Sequence, residues 1–188
     1  MEADWSVEIG PGLPCIDGSW DSLIDLRGTP NAIDLIPEAT RHPALRLALL
    51  ALNAVTSQLF TTKCDAWALA EDIDPYEFGA SGEQVRAGCA SYIDILERDA
   101  SRFASFASHE QRARQLTTRL RGLDLPHGRA DFVLRVATTA EQRGYGLTLY
   151  AAGCGADDAS AYAAWERVVA ATVAATIASA PQLQRTGE

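Results

Sequence analysis

The stretch "RADFVLRVATTAEQRGYGLTLYAAGCGADDASAYAAW", residues 129–165, decides the fold. Apolar residues recur at every second position around Phe132 and again around Leu147, which is typical of strands that bury one side. A segment with two glycines, residues 140–146, separates these strands and predicts a hairpin turn. The residues from about Asp157 to Ala178 have a helical apolar pattern. The stretch therefore predicts a strand hairpin followed by a helix.

The preceding part of the chain repeats this order. A helix is predicted from about Pro43, since proline suits the first turn of a helix. The segments "LFTTKCDAWALA", residues 59–70, and "AGCASYIDILE", residues 87–97, predict a second hairpin. In "SHEQRARQLTTRLRG", residues 108–122, Ser108 as N-cap and Gln111 three residues later form a capping-box pattern.

Two helix-hairpin units and a C-terminal helix predict an α+β fold. The economical arrangement is a two-layer sandwich, in which a mostly antiparallel sheet carries the helices on one face. We expect residues 1–188 to form a single domain, with residues 1–40 as an irregular N-terminal segment packed on it. Within that segment, "WSVEI" at 5–9 and "SLIDL" at 22–26 could be short strands.

Charge limits the classes of partner. The net charge is −9, and residues 1–80 carry thirteen acidic and four basic side chains, so all of the excess lies there. An acidic surface repels phosphates, which argues against a nucleic-acid partner. No apolar run approaches the roughly 18 residues of a membrane span, and the N-terminus is acidic, unlike a signal peptide. These features predict a cytoplasmic protein of bacterial type with no membrane partner.

Neither a metal nor another cofactor is predicted. Cysteines stand at 15, 64, 89 and 154, without the paired spacing of a zinc site, and free cysteines that pack as small hydrophobes are the favoured interpretation. The acidic loop "EDIDPYEF", residues 71–78, lacks the spacing of an EF-hand. Solubility explains Glu71, Asp72, Asp74 and Glu77 better than a cation does. His109 and the arginines of the 108–122 segment, Arg112 included, are expected at the surface.

Alternation along the strands predicts which side chains lie opposite the core. Phe60, Cys64 and Phe132 are assigned to the core side. The opposite side collects aromatic and charged residues: Lys63, Asp65, Trp67, Tyr92, Asp94, Asp131, Arg135, Thr148 and Tyr150. Rings supply contact area and charges supply orientation, so this set is a candidate binding face. The alternative is a solvated face with cross-strand charge pairs.

Two functions follow as hypotheses. The first is a noncatalytic binding protein that engages a protein partner, or itself as a homodimer, through this face and its acidic N-terminal half. The second is a small-molecule enzyme with a pocket between the sheet and the first thirty residues, in which Asp65, Asp94 or Asp131 acts as acid or base. In that second case Cys154 is a possible nucleophile. A buried or turn cysteine, flanked by glycines that adopt positive φ, is the favoured interpretation of Cys154.

Overall fold

The structure, a computed structural model, describes residues 1–69, 73–81 and 85–179. The described residues form six strands, five α-helices and two short 3₁₀ helices. The strands are β1 (Glu2–Glu8), β2 (Ile16–Asp17), β3 (Leu59–Leu69), β4 (Ala87–Glu97), β5 (Gly128–Thr138) and β6 (Arg143–Gly155). The α-helices are α1 (Pro37–Arg41), α2 (Pro43–Asn53), α3 (Ala100–Phe103), α4 (Phe106–Arg121) and α5 (Asp158–Ala178). The 3₁₀ helices are Pro30–Leu35 and Pro75–Phe78. No described helix is long and apolar enough to cross a membrane.

The strands form one open sheet in the order β1-β5-β6-β4-β3. The two predicted hairpins, β3–β4 and β5–β6, are antiparallel, and β6 also pairs antiparallel with β4. The first strand is the exception, because β1 runs parallel to β5, and the short β2 continues that parallel pairing. The predicted α+β sandwich with a mostly antiparallel sheet is therefore confirmed.

The main core lies between the sheet and the helices α2, α4 and α5. Trp165 of α5 is fully buried, and its indole N–H donates to the Ser91 hydroxyl of β4 at 2.9 Å. Close packing of α5 on β6 depends on Gly153, where an added Cβ would lie 2.1 Å from the backbone nitrogen of Trp165. Gly155 faces the same helix. Neither glycine adopts the positive φ predicted for it; among the described glycines only Gly12 and Gly79 do. Helix approach, and not turn geometry, explains the glycines beside Cys154.

Two predicted details of the elements are wrong, and one short helix is not predicted by the sequence, whereas the helix predicted from Pro43 is confirmed. The N-cap of α4 is Ser105, whose hydroxyl accepts from the Ser108 N–H, because the helix begins one turn earlier than the capping-box pattern suggested. The segment "SLIDL" is not a strand; its apolar residues Ile24 and Leu26 pack against the core from an irregular segment. A short helix, α1, precedes the one predicted from Pro43.

A buried ionic cluster joins α4 to β4, where a solvated arginine face was expected. Arg112 and Glu97 are 4% and 5% exposed, and Arg112 Nη2 lies 2.8 Å from Glu97 Oε1. His109, one turn before Arg112, is also buried, and its Nδ1 lies 2.9 Å from the Ser105 carbonyl oxygen. Burial lowers the pKa of His109, and the nearby Arg112 and Arg102 lower it further, against the effect of the Ser105 hydrogen bond. The surface placement predicted for Arg112 and His109 is wrong.

Both outer strands carry an aspartate that bonds to the strand's own backbone. In β1 the Trp5 N–H donates to Asp4 Oδ1 at 2.8 Å. In β3 the Ala66 N–H donates to Asp65 Oδ1 at 2.7 Å. Each carboxylate thus occupies one backbone donor of an edge strand.

Candidate binding face

The side of the sheet opposite α2, α4 and α5 is called the open face. Cross-strand register places one row of residues on it, running over four strands in the order Asp65, Tyr92, Tyr150, Asp131. The Trp67 and Tyr92 rings have centroids 6.3 Å apart, and those of Tyr92 and Tyr150 are 6.1 Å apart. These are aromatic-pair distances, so the three rings form a continuous strip, in which Tyr92 and Tyr150 are half-buried and Trp67 is exposed. The structure brings these five predicted residues together.

An irregularity in β3 changes one predicted assignment. The register of β3 against β4 shifts between Thr61 and Cys64, as a β-bulge produces. Cys64 packs towards the main core as predicted, but Phe60 joins a second cluster with Ile16 and Leu96 on the open face. The predicted core-side position of Phe60 is therefore wrong, because strict alternation fails across a bulge. Lys63 lies at the bulge, with its ammonium 5.1 Å from the ring centroid of Trp20.

The second row of the open face contains a chain of polar contacts. The Thr148 hydroxyl donates to Asp94 Oδ1 at 2.5 Å, and Arg135 Nη1 donates to the same hydroxyl at 2.9 Å. The guanidinium of Arg135 also donates to Glu8 Oε2 at 2.7 Å and to the Tyr150 hydroxyl at 3.3 Å. Asp94 and Arg135, both predicted for this face, are thus coupled through Thr148.

Asp94 is the most buried carboxylate of the open face, at 7% exposed. Burial raises the pKa of its carboxyl above the ordinary value, while the Thr148 hydrogen bond, Arg135 and Lys63 act in the opposite direction. Burial, together with the charge of Asp94, also raises the pKa of the neighbouring Tyr92. Within the described residues, Asp94 forms no ion pair within 4.0 Å. It is a carboxylate positioned to accept further hydrogen bonds from a bound molecule.

The predicted residue Asp131 is already paired. Arg129, two residues earlier on β5 and on the same face, donates to Asp131 Oδ2 at 2.7 Å and lies 3.5 Å from Glu77 Oε2. The sequence set did not include Arg129 or Glu8, the partner of Arg135. Alternation could have found Arg129, since residues 129, 131 and 135 share one face of a strand. Glu8 could not be found, because its placement depends on the parallel β1–β5 pairing.

Two segments cover the ends of the open face. At one end the chain from β2 onwards crosses the sheet, where Ile16 packs on Leu96 and the Trp20 indole N–H donates to the Thr62 carbonyl at 3.3 Å. At the other end Phe78, from the 3₁₀ helix Pro75–Phe78, packs over Cys154. A pocket of about 360 Å³ lies beside that helix, with Asp131 and Tyr150 in its wall. The open face is therefore a concave surface between two covers.

Cys154 lies beneath one of these covers and borders a pocket with His127 and Ser160. It is 1% exposed, and burial raises the pKa of its thiol to about 11. The N-terminus of α5 does not stabilise a thiolate there, because the Asp157 side chain accepts from the Ser160 N–H and caps the helix. A buried thiol with a raised pKa is a weak nucleophile at neutral pH.

No metal site is apparent in residues 1–69, 73–81 and 85–179, since they contain no group of three His, Cys, Asp or Glu side chains arranged to hold an ion. Glu71 and Asp72 of the acidic loop lie outside the described residues. Asp74 caps the 3₁₀ helix by accepting from the Tyr76 N–H at 3.0 Å.

Fold and site together define an open α+β sandwich with a concave, aromatic and carboxylate-rich sheet face. Comparison with protein-family models, with curated proteins and with solved structures finds no match. The chemistry of the open face is thus the guide to function.

Proposed function

We propose that the protein binds a basic segment of a partner protein, rich in arginine or lysine, on its open face. One observation carries the proposal: the row Asp65, Tyr92, Tyr150, Asp131 places a carboxylate at each end of adjacent rings. Guanidinium groups stack on aromatic faces and pair with carboxylates, so the end of the row at Asp65 and Tyr92 offers both contacts to one extended segment. At the other end Asp131 is paired with Arg129, and Arg135 lies over the Tyr150 ring.

Charge on the face favours a cationic partner. The two arginines of the face are already engaged, Arg129 by Asp131 and Arg135 by Glu8. Asp65 and Asp94 form no ion pair within 4.0 Å in the described part of the chain. The acidic excess of residues 1–80, which include β3, adds a field that steers basic partners towards this face.

Stacking of guanidinium groups on rings already occurs within this protein. Arg114 lies 4.5 Å from the ring centroid of Trp5, and Arg27 lies 4.1 Å from that of Phe60. On the open face Trp67 is 39% exposed, and its ring is not covered by an arginine among the described residues. It is the natural position for an arginine supplied by the partner.

The test is titration with synthetic decapeptides of alternating Arg-Gly, Lys-Gly and Glu-Gly, monitored by tryptophan fluorescence and calorimetry. We expect the Arg-Gly peptide to bind best, the Lys-Gly peptide less tightly and the Glu-Gly peptide not at all. Affinity should fall as salt rises, because exposed charges are screened.

Two variants of the open face have matched controls on the opposite side or in a distant loop. Trp67→Ala and Asp65→Asn should each weaken Arg-Gly binding by about tenfold, or about 1.4 kcal/mol. Leu47→Ala, at an exposed position of α2, and Asp124→Asn, after α4, should leave it unchanged. Equal binding of the Arg-Gly and Glu-Gly peptides contradicts the proposal. The proposal is also contradicted if sedimentation shows a dimer that the Trp67→Ala change dissociates, because a second copy of the protein would then cover the open face.

A second candidate function, a small-molecule enzyme, is favoured by the raised pKa of Asp94 alone. A general acid needs such a shift, and Asp94 adjoins the Tyr92 ring, where a substrate could lie. Asp65 and Asp131 are the other carboxylates of that hypothesis. A thiol-independent activity that is lost in Asp94→Asn would favour it over the binding function, whereas the burial of Cys154 speaks against a covalent version.

A further inference from the structure

A separate pocket of about 260 Å³ lies at the β3 edge of the sheet, between the strand and the N-terminal segment. Five parts of the chain form it: the irregular segment around Trp20 and Ile24, the start of α1 at Ile36 and Pro37, Leu49 of α2, residues 61–64 of β3, and Tyr92 of β4. Such a volume is slightly below the ~300–1,000 Å³ of drug-sized sites, so it fits a molecule of one or two rings.

The walls of this pocket are mostly apolar. Ile24 and Ile36 pack against the main core, and Leu49 is 1% exposed, so these side chains are held in place by the fold. Trp20 is fixed by its hydrogen bond to the Thr62 carbonyl. A preformed apolar cavity of this kind binds the apolar body of a ligand without first having to order the protein.

The two charged residues of the wall, Glu38 and Lys63, differ in whether they already have an ion-pair partner. Glu38 is already paired, because Arg41 Nη2 donates to its Oε1 at 2.9 Å. Lys63 forms no ion pair within 4.0 Å in the described ranges, and its ammonium rests over the Trp20 ring instead. The Cys64 thiol stays neutral, since burial and then Glu38 raise its pKa to about 12. Lys63 is thus the charged wall residue available to a ligand.

We propose that this pocket binds a small carboxylic acid with an apolar body of one or two rings. The body lies against Trp20, Ile24 and Ile36, and the carboxylate pairs with Lys63 at the mouth. An unpaired ammonium beside an apolar cavity favours a ligand that has both a carboxylate and an apolar body. The ammonium orients the ligand through its carboxylate, and burial of the apolar body supplies most of the binding free energy. The site adjoins the aromatic row, because Tyr92 belongs to both, whereas Asp65, Trp67 and Tyr150 are not among its wall residues as described.

Three probes with one ring system test the ligand class: naphthalene-2-carboxylate, 2-acetylnaphthalene and 2-naphthylmethylammonium. Binding is followed by the ¹H–¹⁵N signal of the Trp20 indole, assigned with Trp20→Phe. We expect the carboxylate to bind at least tenfold more tightly than the neutral probe, and the ammonium probe to bind weakest. Equal affinity of the carboxylate and neutral probes overturns the role of Lys63, and absence of binding by all three overturns the site.

Variants separate the charge from the cavity. Lys63→Met keeps the length of the exposed side chain and should weaken the carboxylate probe about tenfold while leaving the neutral probe unchanged. Ile36→Trp fills the pocket and should abolish binding of both, whereas Leu35→Trp, at a neighbouring residue that is 68% exposed, should not. If Ile36→Trp does not fold, Ile24→Phe makes the same test. Retained binding in a folded, filled variant contradicts the proposal.

Discussion

Two carboxylates on the same strand, Glu97 and Asp94, have opposite surroundings. Glu97 points into the helix side, where Arg112 pairs with it at 2.8 Å and Arg102 lies 3.6 Å away. Asp94 points to the open face and accepts a hydrogen bond from a neutral group, Thr148. Burial raises the pKa of both carboxyls. Arg112 pairs directly with Glu97 and balances its charge inside the fold. Among the described residues Asp94 has no direct cationic partner, and Arg135 reaches it only through the hydroxyl of Thr148.

This difference indicates that, within one strand, Glu97 has a structural role and Asp94 a functional one. A buried carboxylate with its own arginine is part of the architecture, and removing one partner leaves an isolated charge. A buried carboxylate without an arginine partner lowers the stability of the fold. Such carboxylates are commonly retained where a binding or catalytic site uses them. The comparison predicts that removing a charge lowers the free energy of unfolding on the Glu97 side of the sheet and raises it at Asp94.

The largest effect is expected for Arg112→Met. The change leaves Glu97 buried beside only the half-exposed Arg102, so the free energy of unfolding should fall by about 3–5 kcal/mol. Chemical denaturation at pH 7 measures it. The matched change on the open face, Arg135→Met, should cost less, about 1–2 kcal/mol, because its ion-pair partner Glu8 is partly exposed and Asp94 loses only a charge that reaches it through Thr148.

The double variant Glu97→Leu, Arg112→Met is the control for this prediction. It should recover most of the lost stability, because no charge stays buried without a partner. Equal losses in Arg112→Met and Arg135→Met would remove the proposed distinction between the two sides of the sheet.

A smaller effect is expected from His109, which lies beside Arg112, Arg102 and Glu97 on the helix side. Its folded pKa is lowered, so below pH 6.5 the unfolded chain takes up a proton that the folded chain does not. Each pH unit below that value costs up to about 1.4 kcal/mol. Relative to His109→Asn, whose amide can still donate to Ser105, the wild type should therefore lose up to about 2 kcal/mol between pH 7 and 5. Parallel stability profiles for the two proteins would show that His109 does not titrate this way.

The smallest effect is expected for Asp94→Asn, and its sign is opposite. The folded pKa of Asp94 is raised, so ionisation costs stability as pH rises through that value. Asparagine keeps the acceptor for Thr148, and the variant should be more stable than the wild type by about 1 kcal/mol at pH 7. The gain should vanish towards pH 4. Denaturant titration at both pH values tests this, with Asp124→Asn as a neutral control.

The sheet could be predicted largely from local pattern. The strand "AGCASYIDILE" has the bounds expected of it, and the aromatic row follows from alternation along paired strands. Alternation fails where the backbone departs from it, as at the Thr61–Cys64 bulge that moves Phe60 to the other side. A bulge leaves no reliable trace in composition.

The errors on α4 have a tertiary cause. Ser105 and Ser108 both suit an N-cap, and the sequence pattern favoured the wrong one because the helix start also depends on where Phe103 and Phe106 pack. Arg112 and His109 looked solvated, since charged side chains usually are. The burial of Arg112 depends on Glu97, which lies fifteen residues earlier on a strand, and no local pattern connects that strand to the helix.

The aspartates at the outer strands have a consequence for how this protein behaves at high concentration. Asp4 and Asp65 occupy the N–H groups of Trp5 and Ala66. An incoming strand must displace a carboxylate and face its charge before it can extend the ladder at either residue. Each edge of the sheet therefore carries a carboxylate that opposes the addition of another strand. These two carboxylates protect the open sheet against assembly into fibres.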